Sequence, residues 1–173
     1  RLIVANSSSF MGPPSAWDAR IALVRGQGMA PLAQASVARW FSERFVATGQ
    51  EAIAPISAML QATDPQGYAG CCAAIRDMDM RRSVALIETP MLVIGGTRDP
   101  ATPPPHSEAL AGAVAGARLA MLEAAHLSNV EQPRAFGTTV LDFLAQARPR
   151  RDRGRPGWLP AMVPGHVHFD LAA

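Results

Sequence analysis

Two residues of this chain combine acid–base chemistry with the right kind of position. Asp99 follows the apolar run Met91-Leu92-Val93-Ile94 and the turn Gly95-Gly96-Thr97-Arg98. His126 comes twenty-seven residues after Asp99, just past a second apolar run, Leu119-Ala120-Met121-Leu122. An acid at the carboxyl end of one strand and a histidine past the next make two thirds of a nucleophile–histidine–acid triad. In such a triad the carboxylate orients the imidazole, and the imidazole takes the proton of the nucleophile. Pro100 ends the first strand and keeps the carboxylate at its carboxyl edge, where catalytic groups of open sheets gather. The sharp Gly-x-Ser-x-Gly turn that presents a nucleophilic serine is not found in the 173 residues. Ser7-Ser8-Ser9 follow a strand without flanking glycines and read as a connecting loop, not as a substitute.

The elements that must position this pair follow from hydrophobic periodicity. Residues 1–6 read as a short buried strand, ended by Asn6 and the serines. From about residue 15 to residue 85 the pattern is helical. Ser15-Ala16-Trp17-Asp18 has the form of a capping box, with Ser15 as N-cap. Pro31 opens a second helix with Leu32, Val37, Trp40 and Phe41, and a third covers roughly 51–62. Asp64-Pro65 opens a fourth as N-cap and first position.

From residue 90 the period changes: a strand at 91–95, a Pro-rich loop, a helix over roughly 106–114, a strand at 118–123 and a last helix at about 132–147. Strand–helix–strand–helix with short connections implies parallel pairing with right-handed crossovers. The expected organisation is an α/β core from residues 1–8 and 86–147, an inserted helical lid at 9–85, and an Arg/Pro-rich tail at 148–173 that its composition marks as disordered.

Composition narrows the function classes. All sixteen basic residues are arginine, and the net charge of +2 hides an asymmetry. Residues 1–146 carry eleven Arg against twelve acids, a charge of −1, while the remainder carries five Arg against two acids. A near-neutral body does not suit nucleic-acid binding. No apolar run is long enough to span a membrane. Cys71 and Cys72, the only cysteines, are adjacent and poorly placed to bridge, so both read as buried helix thiols in a reducing, cytoplasmic setting. His166 and His168 have the spacing of a metal pair but lack a third ligand in the sequence nearby, and no metal or organic cofactor is expected.

The chain from Arg1 to about Ala147 resembles the 3-oxoadipate enol-lactonases, α/β-hydrolases of the β-ketoadipate pathway of aromatic degradation. The resemblance is carried by Trp17-Asp18-Ala19-Arg20-Ile21, Arg39-Trp40-Phe41, Gln66-Gly67-Tyr68, the run Cys72 to Asp79, Gly95 to Pro100, and Ala125 to Asn129. It implies the C-terminal part of an α/β-hydrolase fold, with its last parallel strands and helices and an inserted helical lid. It also implies Asp99 as triad acid and His126 as triad base, acting on a small-molecule enol-lactone or ester. The missing elbow departs from the family, so the nucleophile and the N-terminal half of the hydrolase core are expected to lie upstream. Another α/β-hydrolase activity (esterase, C–C hydrolase or cofactor-free haloperoxidase-like) and a non-catalytic truncated product are the alternatives. The lactone's carboxylate would suit a planar guanidinium. Arg76, beside the stripe of Tyr68, Cys71, Cys72 and Ile75, is the expected partner, with Trp17 and Trp40 as pocket walls.

Overall fold

The computed structural model describes residues 1–146. The expected tail at 148–173, with His166 and His168, lies outside the described residues. Three parallel strands, β1 (Leu2–Ala5), β2 (Met91–Gly96) and β3 (Arg118–Leu122), form one sheet in the order β1-β2-β3. Five helices stand between β1 and β2: α1 (Pro14–Gln27), α2 (Ala30–Trp40), α3 (Glu43–Thr48), α4 (Gln50–Gln61) and α5 (Pro65–Asp77). Helix α6 (Pro104–Ala113) joins β2 to β3, and α7 (Ser128–Glu131) and α8 (Pro133–Ala145) follow β3. The α/β class expected from the changing period is therefore the fold observed.

Strand β2 is the axis of the sheet, and every one of its residues is buried. Met91 and Val93 pack on one face with Val84, Leu110 and Val114, under α6. Leu92 and Ile94 pack on the other with Phe143 of α8. Burial on both faces explains why β2 is a continuous apolar run and not an alternating one. The helical layer has its own core, in which Ile21 and Val24 of α1 meet Leu32 and Ala33 of α2 and Ala69 and Cys72 of α5.

Local chemistry differs from expectation in three places. Helix α1 starts at Pro14 with Pro13 as its cap, and Ser15 makes no capping bond. Proline at the first helical position has its φ already set and no amide to leave unpaired, so the start needs no serine. Helix α3 was not expected; Ser42 caps it by accepting from the Phe45 amide. Of the two cysteines, Cys72 is buried but Cys71 is exposed, because adjacent positions on a helix point about 100° apart. Asp64 does cap α5, accepting from the Gly67 amide at 2.6 Å.

Candidate active site

Gly96, which ends β2, lets the chain bring Asp99 and His126 together. A Cβ on Gly96 would lie 2.4 Å from the Ala124 carbonyl oxygen and 2.5 Å from that of Ala125. Only a residue without a side chain lets the end of β2 run this close to the backbone that carries His126. The ladder continues past the strands: the Thr97 amide donates to the Leu122 carbonyl at 2.8 Å, and the Arg98 amide to that of Ala124 at 3.0 Å. Asp99 and His126 are thus held on two adjacent, mutually bonded segments.

His126 Nδ1 is 2.9 Å from Asp99 Oδ2. The Asp99 side chain is fully buried and both of its oxygens accept hydrogen bonds. Oδ1 accepts from the Ala101 amide at 2.8 Å and the Thr102 amide at 2.9 Å. Oδ2 accepts from Thr102 Oγ1 at 2.7 Å and Asn6 Nδ2 at 3.1 Å in addition to the histidine. Burial favours the neutral acid, but the hydrogen bonds from His126, Thr102 and Asn6 outweigh it and hold the carboxyl well below the usual carboxylate range. An ionised Asp99 fixes the neutral imidazole with its proton on Nδ1, which leaves the Nε2 lone pair to act as a base. The histidine side chain is 23% exposed and borders a cavity.

Besides Thr102, three residues outside the expected set support this pair. Asn6, at the end of β1, has a φ of 45°, in the left-handed region that asparagine tolerates better than most residues. That turn aims its amide at both Asp99 and the Ala125 carbonyl. Ser128, fully buried at the start of α7, donates to Asn6 Oδ1 at 2.5 Å. Glu131 of α7 accepts from the Ala125 amide at 3.1 Å, and from the Ser42 amide and hydroxyl. With the Leu127 amide donating to the Trp40 carbonyl at 3.0 Å, the histidine loop is tied to the end of α2.

The cavity beside His126 has a volume of about 770 Å³ and lies between the sheet edge and the helical layer. Trp17, Arg20, Arg39, Trp40 and Tyr68 line it. The Trp40 ring centroid is 6.4 Å from that of His126, and Trp17 Nε1 donates to the Met11 carbonyl at 2.5 Å. Both tryptophans therefore stand where pocket walls were expected. Arg76 does not. It pairs with Asp77 at 2.8 Å and Asp18 at 2.7 Å, and it is not among the cavity-lining residues. Two carboxylates on its own side of the helices hold the guanidinium at the surface, away from the stripe beside it.

Ser8, in the cavity wall, has its hydroxyl 2.7 Å from His106 Nδ1, whereas no serine among the described residues is hydrogen-bonded to His126. A second, more open hollow between α2 and α4 is lined by no titratable residue. No group of three or more potential metal ligands occurs among the described residues, and no described helix is long and apolar enough to cross a membrane.

An acid in the loop after β2 hydrogen-bonded to a histidine beyond β3, with a helical block between β1 and β2, is an arrangement that can be compared with known proteins. The α/β-hydrolase model described as "TAP-like protein" matches residues 62–154. The chain belongs to the α/β-hydrolase family. It is 40% identical over 140 residues to 3-oxoadipate enol-lactonase 2 of Acinetobacter baylyi, an alignment covering 81% of this chain and 52% of that protein. Among solved structures, a hydrolase from Pseudomonas aeruginosa PA01 superposes with a TM-score of 0.81 at 44% identity, covering 84% of this chain and 56% of that one. The enol-lactonase of Burkholderia xenovorans LB400 matches with a TM-score of 0.81 at 39% identity, covering 83% and 55%. The chain spans about half the length of these α/β-hydrolase relatives.

Proposed function

We propose that this chain supplies the acid, the base and the substrate-recognition layer of a serine hydrolase that opens 3-oxoadipate enol-lactone. The observation that carries this reading is the Asp99–His126 hydrogen bond at the mouth of a tryptophan-walled cavity. The similarity to two enol-lactonases supports the choice of substrate. With no Gly-x-Ser-x-Gly in these 173 residues, the reading assigns the nucleophile to hydrolase polypeptide beyond them. The helices between β1 and β2 then serve as the lid.

In this scheme the serine Oγ attacks the lactone carbonyl carbon as His126 Nε2 takes its proton. Asp99 steadies the imidazolium that forms. The carbonyl π pair moves to oxygen and returns as the ring C–O bond breaks. The enol oxygen leaves with the proton from His126, and the enol tautomerises to the ketone. Water, deprotonated by His126, then releases the free acid and restores the serine. The products are one 3-oxo dicarboxylic acid and an unchanged enzyme.

The test is a chimera that joins the nucleophile-bearing half of the Acinetobacter baylyi relative to this chain at Arg1. It is expected to open the enol-lactone, and His126→Ala or Asp99→Asn to lower kcat by about a thousandfold or more. Turnover of simple aryl esters without the lactone would overturn the substrate assignment and favour an esterase. Lactone turnover unaffected by His126→Ala would overturn the assignment of the base.

A further inference from the structure

Both chain neighbours of His126 are held by one residue, Glu131 of α7. Its carboxylate accepts from the Ala125 amide at 3.1 Å, and its own amide donates to the Leu127 carbonyl at 3.0 Å. The turn that carries the imidazole is thus closed on both sides of the ring. On the first side Asn6 adds to the hold, with its amide 3.2 Å from the Ala125 carbonyl.

The same two neighbours are bonded to the helical layer. Leu127 reaches it directly, donating to the Trp40 carbonyl at 3.0 Å. Ala125 reaches it through Glu131, whose carboxylate also accepts from the Ser42 amide at 3.2 Å and from the Ser42 hydroxyl. An ionised carboxylate suits such a joint, because it accepts from several donors at once and holds them more strongly than a neutral acceptor does. Trp40 ends α2 and Ser42 caps α3, so both connections land on the short junction between these helices. Trp40 also lines the cavity, with its ring centroid 6.4 Å from that of His126. The donors to the Asp99 carboxylate come instead from Asn6, Ala101, Thr102 and His126. The sheet end alone fixes the acid, whereas the sheet end and the helical layer together fix the base.

We infer that Glu131 is a positioning residue for the base, through which the α2–α3 junction sets the place of the His126 ring against Asp99. The inference deepens the hydrolase reading and rests on it for the role of His126 as base. The part of the lid at Trp40 and Ser42 is then catalytic support and not a flap. A ligand that packs on Trp40 bears on the acid–base pair, since a misplacement of about 1 Å is enough to cost a hundredfold in rate.

The test reads the His126 ring in this chain by nitrogen NMR and needs no turnover. Glu131→Ala should lower the ratio of the Nδ1–H to the Nε2–H form at least about threefold, as a weakened hydrogen bond to Asp99 requires. Glu131→Gln keeps a carbonyl oxygen for the two backbone amides and should restore most of that ratio. Glu123→Ala removes an exposed carboxylate just past β3 and should leave the ratio unchanged. A ratio that does not respond to Glu131→Ala overturns the inference, and so does an equal fall in Glu123→Ala. If Glu131→Ala does not fold, hydrogen exchange at Ala125 in the natural chain decides. That amide should exchange as slowly as those of β2, and rapid exchange overturns the inference. In the chimera, Glu131→Ala should lower kcat about tenfold or more with KM little changed. An active chimera whose kcat ignores Glu131→Ala also overturns it. A ratio that responds to Glu131, together with a chimera that opens no lactone, leaves the positioning role standing and sinks the lactonase reading alone.

Discussion

Around Asp99, five donors converge on two carboxylate oxygens, whereas across the cavity Arg20 and Arg39 each make a single hydrogen bond. The sheet end is a finished polar network: its charge is buried, its partners are on β1, the loop after β2 and the loop after β3, and each partner is itself held. The helical layer is held by apolar packing, and its two arginines inside the cavity contact only a phenol and a backbone carbonyl in the hydrogen bonds described. Fixed geometry is what an acid–base pair requires, because proton transfer depends on placement to a fraction of an ångström. A recognition layer gains from the opposite arrangement, in which donors are oriented but unspent until the ligand arrives.

The contrast can be broken most severely at its glycines. Gly96→Ala places a methyl group against two backbone carbonyls that cannot swing aside without moving His126. We expect a loss of about 3 kcal/mol, at the upper end for overpacking, visible as a large fall in Tm. Gly70→Ala on the exposed face of α5, where an added Cβ meets nothing within 4 Å, should be neutral or stabilise by about 0.5–1 kcal/mol. Similar melts for the two variants would mean that the sheet end is no more tightly specified than the helices.

A smaller effect is expected at Asn6. Asn6→Ala removes two donated hydrogen bonds, leaves the buried Ser128 hydroxyl without its acceptor and keeps an unfavourable φ. A cost of about 2 kcal/mol follows from the lost bonds and the strain together. Asn6→Gly relieves the φ but not the bonds, and should lie between Asn6→Ala and the natural protein in chemical denaturation. If glycine were fully tolerated, the asparagine would serve the turn and not the carboxylate.

Much of the sheet end was legible because its signals are local. A buried strand followed by Gly-Gly and an Asp-Pro, and a histidine after the next strand, are contiguous in sequence, and the parallel order follows from the alternation of elements. The supporting residues were not legible in the same way. Asn6 and Ser128 are separated by 122 positions and meet only because β1 pairs beside β2. In the helical layer, periodicity showed that Trp17 and Trp40 lie on helical stripes, but neither that they border the cavity nor that Arg76 lies away from it. Arg76 sits beside a cavity-facing stripe, and its fate was decided by Asp18 on another helix. Helix α3 escaped notice because six residues are too few to establish a period.

The central claim is that Asp99 sets the protonation geometry of His126 within this chain, whatever supplies the nucleophile. Nitrogen NMR of the His126 imidazole tests it most directly, on the intact chain and on Asp99→Asn. The account predicts that the neutral form of the ring carries its proton on Nδ1 with Nε2 free, and that this tautomeric preference is lost in the variant. A ring protonated at Nε2, or a tautomer ratio that does not respond to Asp99→Asn, would contradict it.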